Sequence, residues 1–283
     1  MIKLKQLVLQ NYCGYKNSTF NFTDSFNIFF GPNGCGKSNL LEAIRLLSLG
    51  HRIQTRDNEI YFRKLIYHED YNPSYIAFEK SSREMLVNGI FLTDDGLKEV
   101  AITNQGVVKN EIPRAFYGTA YHIDADHPVN LNKFQLHAEM ADVFLDMARI
   151  AYGFDCELQN DVEDLQGNGE RFFTDFVIHK YGTKVHFKRF SAGEKKIATL
   201  LKDICNPLYI NNIDIIVVDN VEMHIYFKRH AQVFDKLLKT FPSKQFFFTT
   251  HSGTLLDHIG NTYGKKYLFD LEEYKNKELA NIK

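Results

Sequence analysis

The chain has 283 residues, of which 44% are hydrophobic and 24% are charged, a composition typical of a globular protein with a sizeable core. Lys and Arg (34) nearly balance Asp and Glu (35), so the net charge of −1 excludes a chain-wide basic field that would attract nucleic acid. The four cysteines are scattered, with neither CxxC pairing nor metal-ligand spacing, and one of them lies within a glycine-rich loop, which indicates a reducing compartment.

The hydropathy pattern carries no export or membrane signal. Residues 1–6 alternate apolar and polar side chains as a strand does, whereas a signal peptide needs a continuous apolar core. No apolar run approaches the roughly 20 residues of a membrane-spanning helix. We therefore expect a cytoplasmic protein with no membrane partner.

The first part of the chain predicts a small antiparallel sheet. Residues 2–10 and 18–22 alternate apolar and polar side chains, and a turn at 11–15 joins them. Tyr12 and Tyr15 in this turn are expected to pack in the sheet, with contact to a bound base as the alternative. An apolar run at 26–30 predicts the next strand.

The segment that follows, Gly31-Pro-Asn-Gly-Cys-Gly-Lys37-Ser38, fits the phosphate-binding loop pattern. Backbone N–H groups of such a loop point at phosphates, the lysine pairs with the β- and γ-phosphates, and the serine hydroxyl ligates Mg²⁺. A helix predicted from Ser38 to a capping Gly50 adds a helix N-terminus, which attracts anions. An ordinary glycine turn is the alternative.

We predict ATP with Mg²⁺ as the ligand of this loop. The expected nucleotide-binding residues are Asn33, Gly34, Cys35, Gly36, Lys37, Ser38 and Asn39. We interpret Cys35 as filling a position that needs a small side chain rather than as a redox sensor.

The middle of the chain predicts surface structure and a further antiparallel sheet. Residues 51–71 are polar with mixed charge and predict a surface helix and loop. Short strands are predicted at 75–78, 85–92, 100–108 and 115–123.

A polar cluster closes this region. His122, Asp124, Asp126 and His127 could ligate a metal ion. A turn closed by Pro128 explains them better, because no further ligand follows at a fixed spacing.

Residues 130–165 show a helical pattern, and a hairpin is predicted from strands at 172–180 and 184–188. Ser191 then opens a helix as its N-cap, and Glu194 completes a capping box. A well-capped helix is the plain interpretation of this stretch. The functional one is that the Ser191 hydroxyl and the Gly193 N–H hold a phosphate at the positive end of the helix.

Two buried strands near the end of the chain finish in polar residues. The run at 213–218 ends in Asp219, where a carboxylate commonly holds the Mg²⁺ of a bound triphosphate. The run at 245–248 leads to His251, which could contact the γ-phosphate or the attacking water. A capping aspartate and a structural histidine are the alternatives.

The order of these motifs resembles the ABC-type ATPase heads of the SMC, RecF and OLD families, and residues 1–44 are especially similar. The resemblance implies an α/β P-loop NTPase of ABC/SMC-head type, with a mixed central sheet, an N-terminal antiparallel sheet and a helical lobe. It implies a single head over residues 1–283. One lobe would span about 1–128 plus 210–283, and the helical, signature-bearing lobe about 129–209.

The resemblance also implies that two heads pair face to face around ATP. Ser191, Gly193 and Glu194 of one subunit would close on the nucleotide held by the phosphate-binding loop of the other. Asp219 would hold Mg²⁺ together with Ser38, and His251 would be the switch histidine.

Several features depart from this family pattern. A glutamate normally follows the metal-holding aspartate and activates water, but this position is Asn220. Glu222 could replace it, because 219–224 looks like the Asp-x-Pro-Glu-x-His stretch of OLD-like ATPases; otherwise hydrolysis would be slow and the dimer locked by nucleotide. No secure Mg²⁺-sensing glutamine is visible, and Gln135 is the one candidate.

A long coiled coil and a fused nuclease are not expected, because no sustained heptad pattern lies between 38 and 190 and few residues follow Ser252. We therefore expect an ATPase that forms a dimer or a higher oligomer and regulates a separate effector, such as a nuclease or toxin of anti-phage defence. The alternative is a RecF-type repair ATPase that acts on DNA directly.

Overall fold

A five-stranded sheet lies at the centre of the protein, and its strand order is β10-β15-β16-β3-β17. The computed structural model describes residues 1–49, 53–56, 59–63, 75–78, 85–103, 106–111, 120–124, 134–163, 171–205, 213–222 and 224–280. The described strands are β1 Lys3–Tyr12, β2 Tyr15–Asn21, β3 Phe26–Phe30, β4 Ile53–Arg56, β5 Glu59–Arg63, β6 Tyr75–Phe78, β7 Leu86–Thr93, β8 Gly96–Thr103, β9 Gly106–Asn110, β10 Ala120–Asp124, β11 Leu136–His137, β12 Asp155–Glu163, β13 Arg171–Lys180, β14 Thr183–His186, β15 Ile215–Asp219, β16 Gln245–Thr249 and β17 Leu268–Asp270. The described α-helices are α1 Lys37–Leu49, α2 Ala141–Tyr152, α3 Ala192–Ile204, α4 His230–Thr240, α5 Gly253–Thr262 and α6 Leu271–Ala280.

Every described pairing in the central sheet is parallel. The carboxyl ends of its strands therefore meet at one edge, which carries Gly31 after β3, Asp219 at the end of β15 and Thr249 at the end of β16. Where the sequence resemblance implies a mixed central sheet, the antiparallel strands belong to separate sheets, because β1 pairs with β2 and β7 rather than with β3.

The central strands are apolar on both faces, as expected for a parallel sheet covered on two sides. Ile216 and Val218 of β15 face one hydrophobic cluster, and Ile215 and Val217 face the other. The first cluster includes residues of α2, α3, α4 and α5, and the second includes residues of α1 and the N-terminal sheet.

The N-terminal sheet has the strand order β2-β1-β7-β8-β9, and all its described pairings are antiparallel. The predicted strands at 2–10, 18–22 and 85–92 are confirmed within a few residues at their ends. This sheet packs beside the strand and helix that flank the phosphate-binding loop.

Two predicted helical regions are wrong in part. Within 130–165 the α-helix ends at Tyr152, because Gly153 adopts a left-handed conformation (φ 69°) and β12 then pairs with β13. Within 51–71 the described segments are β4 and β5, which pair antiparallel. Their short runs of β-branched and aromatic residues favour strands over the helix that the charge pattern suggested.

The third described sheet, β11-β13-β12 with β14 on β13, lies with α2 and α3 in the segment predicted as the helical lobe. The proposed division into two lobes stays a prediction. Every helix in the described part of the chain is too short or too polar to cross a lipid bilayer.

Candidate nucleotide-binding site

The phosphate-binding loop connects the end of β3 to the start of α1. Gly31, Gly34 and Gly36 have φ values of 140°, 79° and 98°, which favour glycine, so the loop backbone depends on all three. Gly34 is exposed, and a Cβ placed on it would meet nothing within 4 Å. The space beside this part of the loop therefore suits a bound phosphate chain.

Lys37 is the first residue of α1, and it is only 7% exposed. Its ammonium donates hydrogen bonds to the carbonyls of Gly31 (3.0 Å) and Pro32 (3.1 Å), and it lies 3.9 Å from Cys35 Sγ. The side chain thus folds back over its own loop and holds a positive charge inside the curve of the backbone.

The other predicted loop residues divide by exposure. Cys35 is buried, in agreement with the small-residue interpretation, whereas Asn33, Ser38 and Asn39 are exposed. Asn39 Nδ2 donates to the Cys13 carbonyl at 3.2 Å, so the first turn of α1 is tied to the β1–β2 turn. Ser38 is exposed at the helix N-terminus, which leaves this residue accessible to a metal ion.

Tyr15 supports this loop from the protein interior. Its hydroxyl donates to the Gly36 carbonyl at 3.0 Å. A Cβ on Gly36 would lie 3.0 Å from the Tyr15 hydroxyl oxygen. Tyr12 and Tyr15 are both fully buried. The expectation that they pack inside the sheet is confirmed, and the alternative of contact with a base is wrong.

Asp219 ends β15 and is 8% exposed. Its Oδ1 accepts a hydrogen bond from the Thr249 hydroxyl, and the Asn220 N–H donates to the same hydroxyl oxygen at 2.8 Å. Asn220 has a φ of 53°. Thr249 therefore fixes the end of β15 against the end of β16 and orients the Asp219 carboxylate.

Glu222 and His251 contact each other across these two strand ends. The backbone N–H of His251 donates to Glu222 Oε1 at 2.6 Å. Glu222 Oε2 is buried and has no hydrogen-bond partner among the described residues. The His251 residue is exposed.

The capping box at the start of α3 is confirmed. Glu194 N–H donates to Ser191 Oγ at 3.3 Å, and Ser191 N–H donates to Glu194 Oε2 at 2.9 Å. Lys180 forms an ion pair with Glu194 Oε1, and the Tyr152 hydroxyl donates to the Glu194 carbonyl at 2.5 Å. The Glu194 side chain thus caps the N-terminus of α3, and Ser191 itself is exposed.

Gly193 lies beside the loop that follows β15. A Cβ on Gly193 would lie 3.5 Å from His224 Nδ1, and His224 is exposed with a φ of 65°. The start of α3 and the loop after Asp219 therefore form one continuous surface. No hydrogen bond or ion pair between described residues joins Ser191, Gly193 or Glu194 to the phosphate-binding loop.

The described residues do not test the candidate metal cluster of the sequence analysis. Asp126 and His127 lie outside them, and His122 and Asp124 are described only as part of strand β10. The metal and turn interpretations of this cluster both stay predictions. Gln135 is exposed just before β11, and its sensing role stays a prediction.

Sequence reasoning missed His230, the first residue of α4. His230 is 8% exposed, and its two ring nitrogens lie 2.7 Å from Ser252 Oγ and 2.8 Å from the Ile225 carbonyl. It joins the loop after β15 to the segment after β16. A histidine that opens a helix 22 residues before its partner serine carries no motif, so the sequence gives no signal for this contact.

Comparison with known proteins identifies the family of this chain. A family model described as "RecF/RecN/SMC N terminal domain" matches residues 3–268. The chain belongs to this family. The predicted resemblance to SMC- and RecF-type ATPase heads is thereby confirmed.

Two curated relatives illustrate the family. The chain is 50% identical over 58 residues to the DNA replication and repair protein RecF of Ruminiclostridium cellulolyticum, which covers 20% of this chain and 16% of that protein. It is 31% identical over 94 residues to the Retron Vc95 probable ATPase of Vibrio cholerae, covering 30% and 18% respectively. The chain thus spans less than a fifth of the length of either relative in these alignments.

Solved structures of SMC head domains share the fold over nearly the whole chain. The head from Thermotoga maritima has a TM-score of 0.54 at 18% identity and covers 90% of this chain and 92% of that one. The head from Pyrococcus furiosus, solved bound to the C-terminal domain of ScpA, has a TM-score of 0.58 at 12% identity and covers 91% and 92%. At this level of identity the likeness shows the fold alone, and it confirms the predicted α/β head.

Proposed function

We propose that this protein is an ATPase that binds ATP with Mg²⁺, dimerises around the nucleotide and uses this conformational change to regulate a partner. The phosphate-binding loop is the observation that carries the proposal. Its three glycines with positive φ hold an open curve of backbone, and the buried Lys37 ammonium lies within that curve. Positive charge and inward N–H groups at a helix N-terminus favour a triphosphate.

The proposed Mg²⁺ ligands are the Ser38 hydroxyl and the Asp219 carboxylate. Ser38 lies at the start of α1, beyond the carboxyl end of β3, and Asp219 ends β15, two strands away in the same parallel sheet. Thr249 orients the carboxylate. Mg²⁺ commonly takes one or two protein oxygens and completes its octahedron with phosphate oxygens and water. When bound, the ion would neutralise charge on the β- and γ-phosphates.

The proposed dimer places Ser191 and Gly193 of one subunit on the nucleotide of the other. Ser191 is exposed at the N-terminus of α3, and no contact in the described structure directs it to its own phosphate-binding loop. Tyr226 and Phe227, 53% and 50% exposed, lie two and three residues after His224, which borders Gly193. Exposed aromatic residues beside this surface favour burial against a second copy.

Two biological roles are supported by different relatives. Similarity to a retron's probable ATPase favours a regulator of a separate effector in anti-phage defence, in the cytoplasm. Similarity to DNA replication and repair proteins named RecF favours the alternative of direct action on DNA. Duplex binding that appears with ATP and falls steeply with salt would support the second role, whereas no binding at low salt would favour the first.

Replacing Lys37 by Ala tests the ATP-binding proposal. Removing the ammonium deletes charge-assisted hydrogen bonds of about 1.5–3 kcal/mol each, so we expect ATP affinity to fall on the order of 100-fold. Equilibrium binding of a fluorescent ATP analogue measures the change. The control is Lys277→Ala, because this exposed lysine on α6 pairs with Glu273 and should leave affinity unchanged. Equal affinity in wild type and Lys37→Ala would refute the site.

A further inference from the structure

Two residues that follow β15, Glu222 and Ile225, are both attached to the segment that carries His251, the proposed switch histidine. At one end the Glu222 carboxylate accepts the backbone N–H of His251. At the other end His230 connects the Ile225 carbonyl to Ser252 Oγ. We call these two contacts the loop clamp.

The first clamp contact engages one oxygen of the Glu222 carboxylate. Oε1 lies 2.6 Å from the backbone nitrogen of His251, and Oε2 is buried without a hydrogen-bond partner among the described residues. Glu222 also lines an apolar pocket together with Leu200, Leu201 and Ile204 of α3. A general base must lie within about 2.6–3.2 Å of the water it activates, directly or through one water. Oε2 is buried and Oε1 is held by a backbone N–H, an arrangement that suits a positioning role better than the role of a base.

The second clamp contact has a fixed direction. A carbonyl only accepts, so His230 Nε2 carries the proton that it donates to the Ile225 oxygen. In the neutral ring Nδ1 then accepts from the Ser252 hydroxyl. Ser252 Oγ also accepts from the Leu255 N–H at 3.1 Å, as the N-cap of α5. His230 therefore links the loop to the start of α5 through one buried and one partly buried hydrogen bond.

The loop clamp connects two different parts of the proposed site. His224 within the loop borders Gly193 at the start of α3, on the surface proposed to meet the second subunit. His251 follows the strand end whose Thr249 orients the proposed Mg²⁺ ligand Asp219. A rigid connection between the two would transmit a displacement at the subunit contact to the phosphate side.

We propose that Glu222 and His230 are positioning residues. They hold the loop that carries His224 against the segment that carries His251 and Ser252, and Glu222 is not the general base. This inference rests on the proposed ATPase function. It replaces the base role that the sequence resemblance suggested for Glu222 and assigns a role to His230.

Comparing Glu222→Gln with Glu222→Ala separates the two roles. A glutamine carbonyl still accepts the His251 N–H, whereas alanine removes the acceptor. We expect Gln to keep the turnover number within about fivefold of wild type and Ala to lower it more than tenfold, with ATP affinity changed less than threefold in both. A base role predicts that Gln and Ala are equally inactive, with losses on the order of 100-fold or more. That result would overturn the proposal.

The second arm tests the His230 contact. His230→Ala removes both of its hydrogen bonds and should lower the turnover number and weaken the ATP-dependent dimer, while the ATP affinity of the monomer stays within threefold. The matched control is His258→Gln, which alters a histidine that joins α4 and α5 through Asp235 without touching either loop. Equal effects of the two substitutions, in variants with wild-type circular dichroism, would contradict the loop clamp.

The wild-type protein separates failure of this inference from failure of the proposed function. If wild type binds and hydrolyses ATP but Glu222→Gln is as inactive as Glu222→Ala, only the clamp is refuted. If wild type does not bind ATP, the proposed function itself fails, and the clamp fails with it.

Discussion

At the scale of single residues, the phosphate-binding loop is held open by contacts from both its own lysine and a distant tyrosine. The motif predicts Lys37, Ser38 and the glycines, because their spacing is set by the loop itself. It does not predict Tyr15, whose hydroxyl bonds a carbonyl 21 residues away. Such a contact depends on how β1 and β2 pack beside the loop, which residue spacing cannot reveal.

Replacing Tyr15 by Phe tests this support. The change deletes one hydrogen bond to the Gly36 carbonyl while keeping the ring, and such a bond contributes about 0.5–1.5 kcal/mol. We expect ATP affinity to fall about three- to tenfold, measured by titration with a fluorescent analogue. Tyr181→Phe is the control, because Tyr181 is 91% exposed on the β13–β14 turn and should leave affinity unchanged. Unchanged affinity in Tyr15→Phe would show that the loop does not depend on this bond.

At the scale of elements, the sequence predicts the buried parallel strands well, because a short continuous apolar run has few structural alternatives to a buried strand. β15 and β16 lie where the runs at 213–218 and 245–248 predict them. The helical lobe is predicted less well. Residues 155–163 continue a weak helical period past Gly153, but the pairing of β12 with β13 is a long-range interaction that outweighs local pattern.

The end of α2 provides an element-scale test. Gly153 caps the helix with a φ of 69°, and the Arg229 guanidinium occupies the space where a Cβ would lie. Arg229 Nη1 donates to the Ile150 carbonyl at 3.0 Å, so it also satisfies the helix C-terminus. Gly153 and Arg229 therefore connect α2 to the segment that precedes α4.

Gly153→Ala should lower the free energy of unfolding by about 2–3 kcal/mol, measured by urea denaturation. About 1 kcal/mol comes from the left-handed backbone and the rest from displacing Arg229. The control is Gly182→Ala, which has a similar φ of 79° but open space around it, and should cost about 1 kcal/mol. In an Arg229→Ala background the two glycine substitutions should cost the same. A persistent difference would contradict the proposed clash.

At the scale of the whole molecule, the proposed site divides between two surfaces. The phosphate-binding loop, Asp219 and the strand ends form one part on the edge of the central sheet. The start of α3 with His224 forms the other, and within the described structure no hydrogen bond or ion pair links Ser191 or Gly193 to the phosphate-binding loop. The sequence motifs predict both halves, but a single chain cannot show how a second copy closes them. Pairing on ATP is therefore the central claim that needs a measurement.

Light scattering of Ser191→Arg with and without ATP tests this claim most directly. An arginine on this exposed position would obstruct the subunit contact, whereas ATP binding by the monomer depends on the separate phosphate-binding loop. Thr183→Arg adds the same side chain at an exposed position on β14 and serves as the control. We predict that ATP produces a species of twice the 32.9 kDa chain mass in wild type and in Thr183→Arg, and that Ser191→Arg binds ATP but stays monomeric. ATP-dependent dimers of Ser191→Arg, or a wild type that stays monomeric with saturating ATP, would contradict the account.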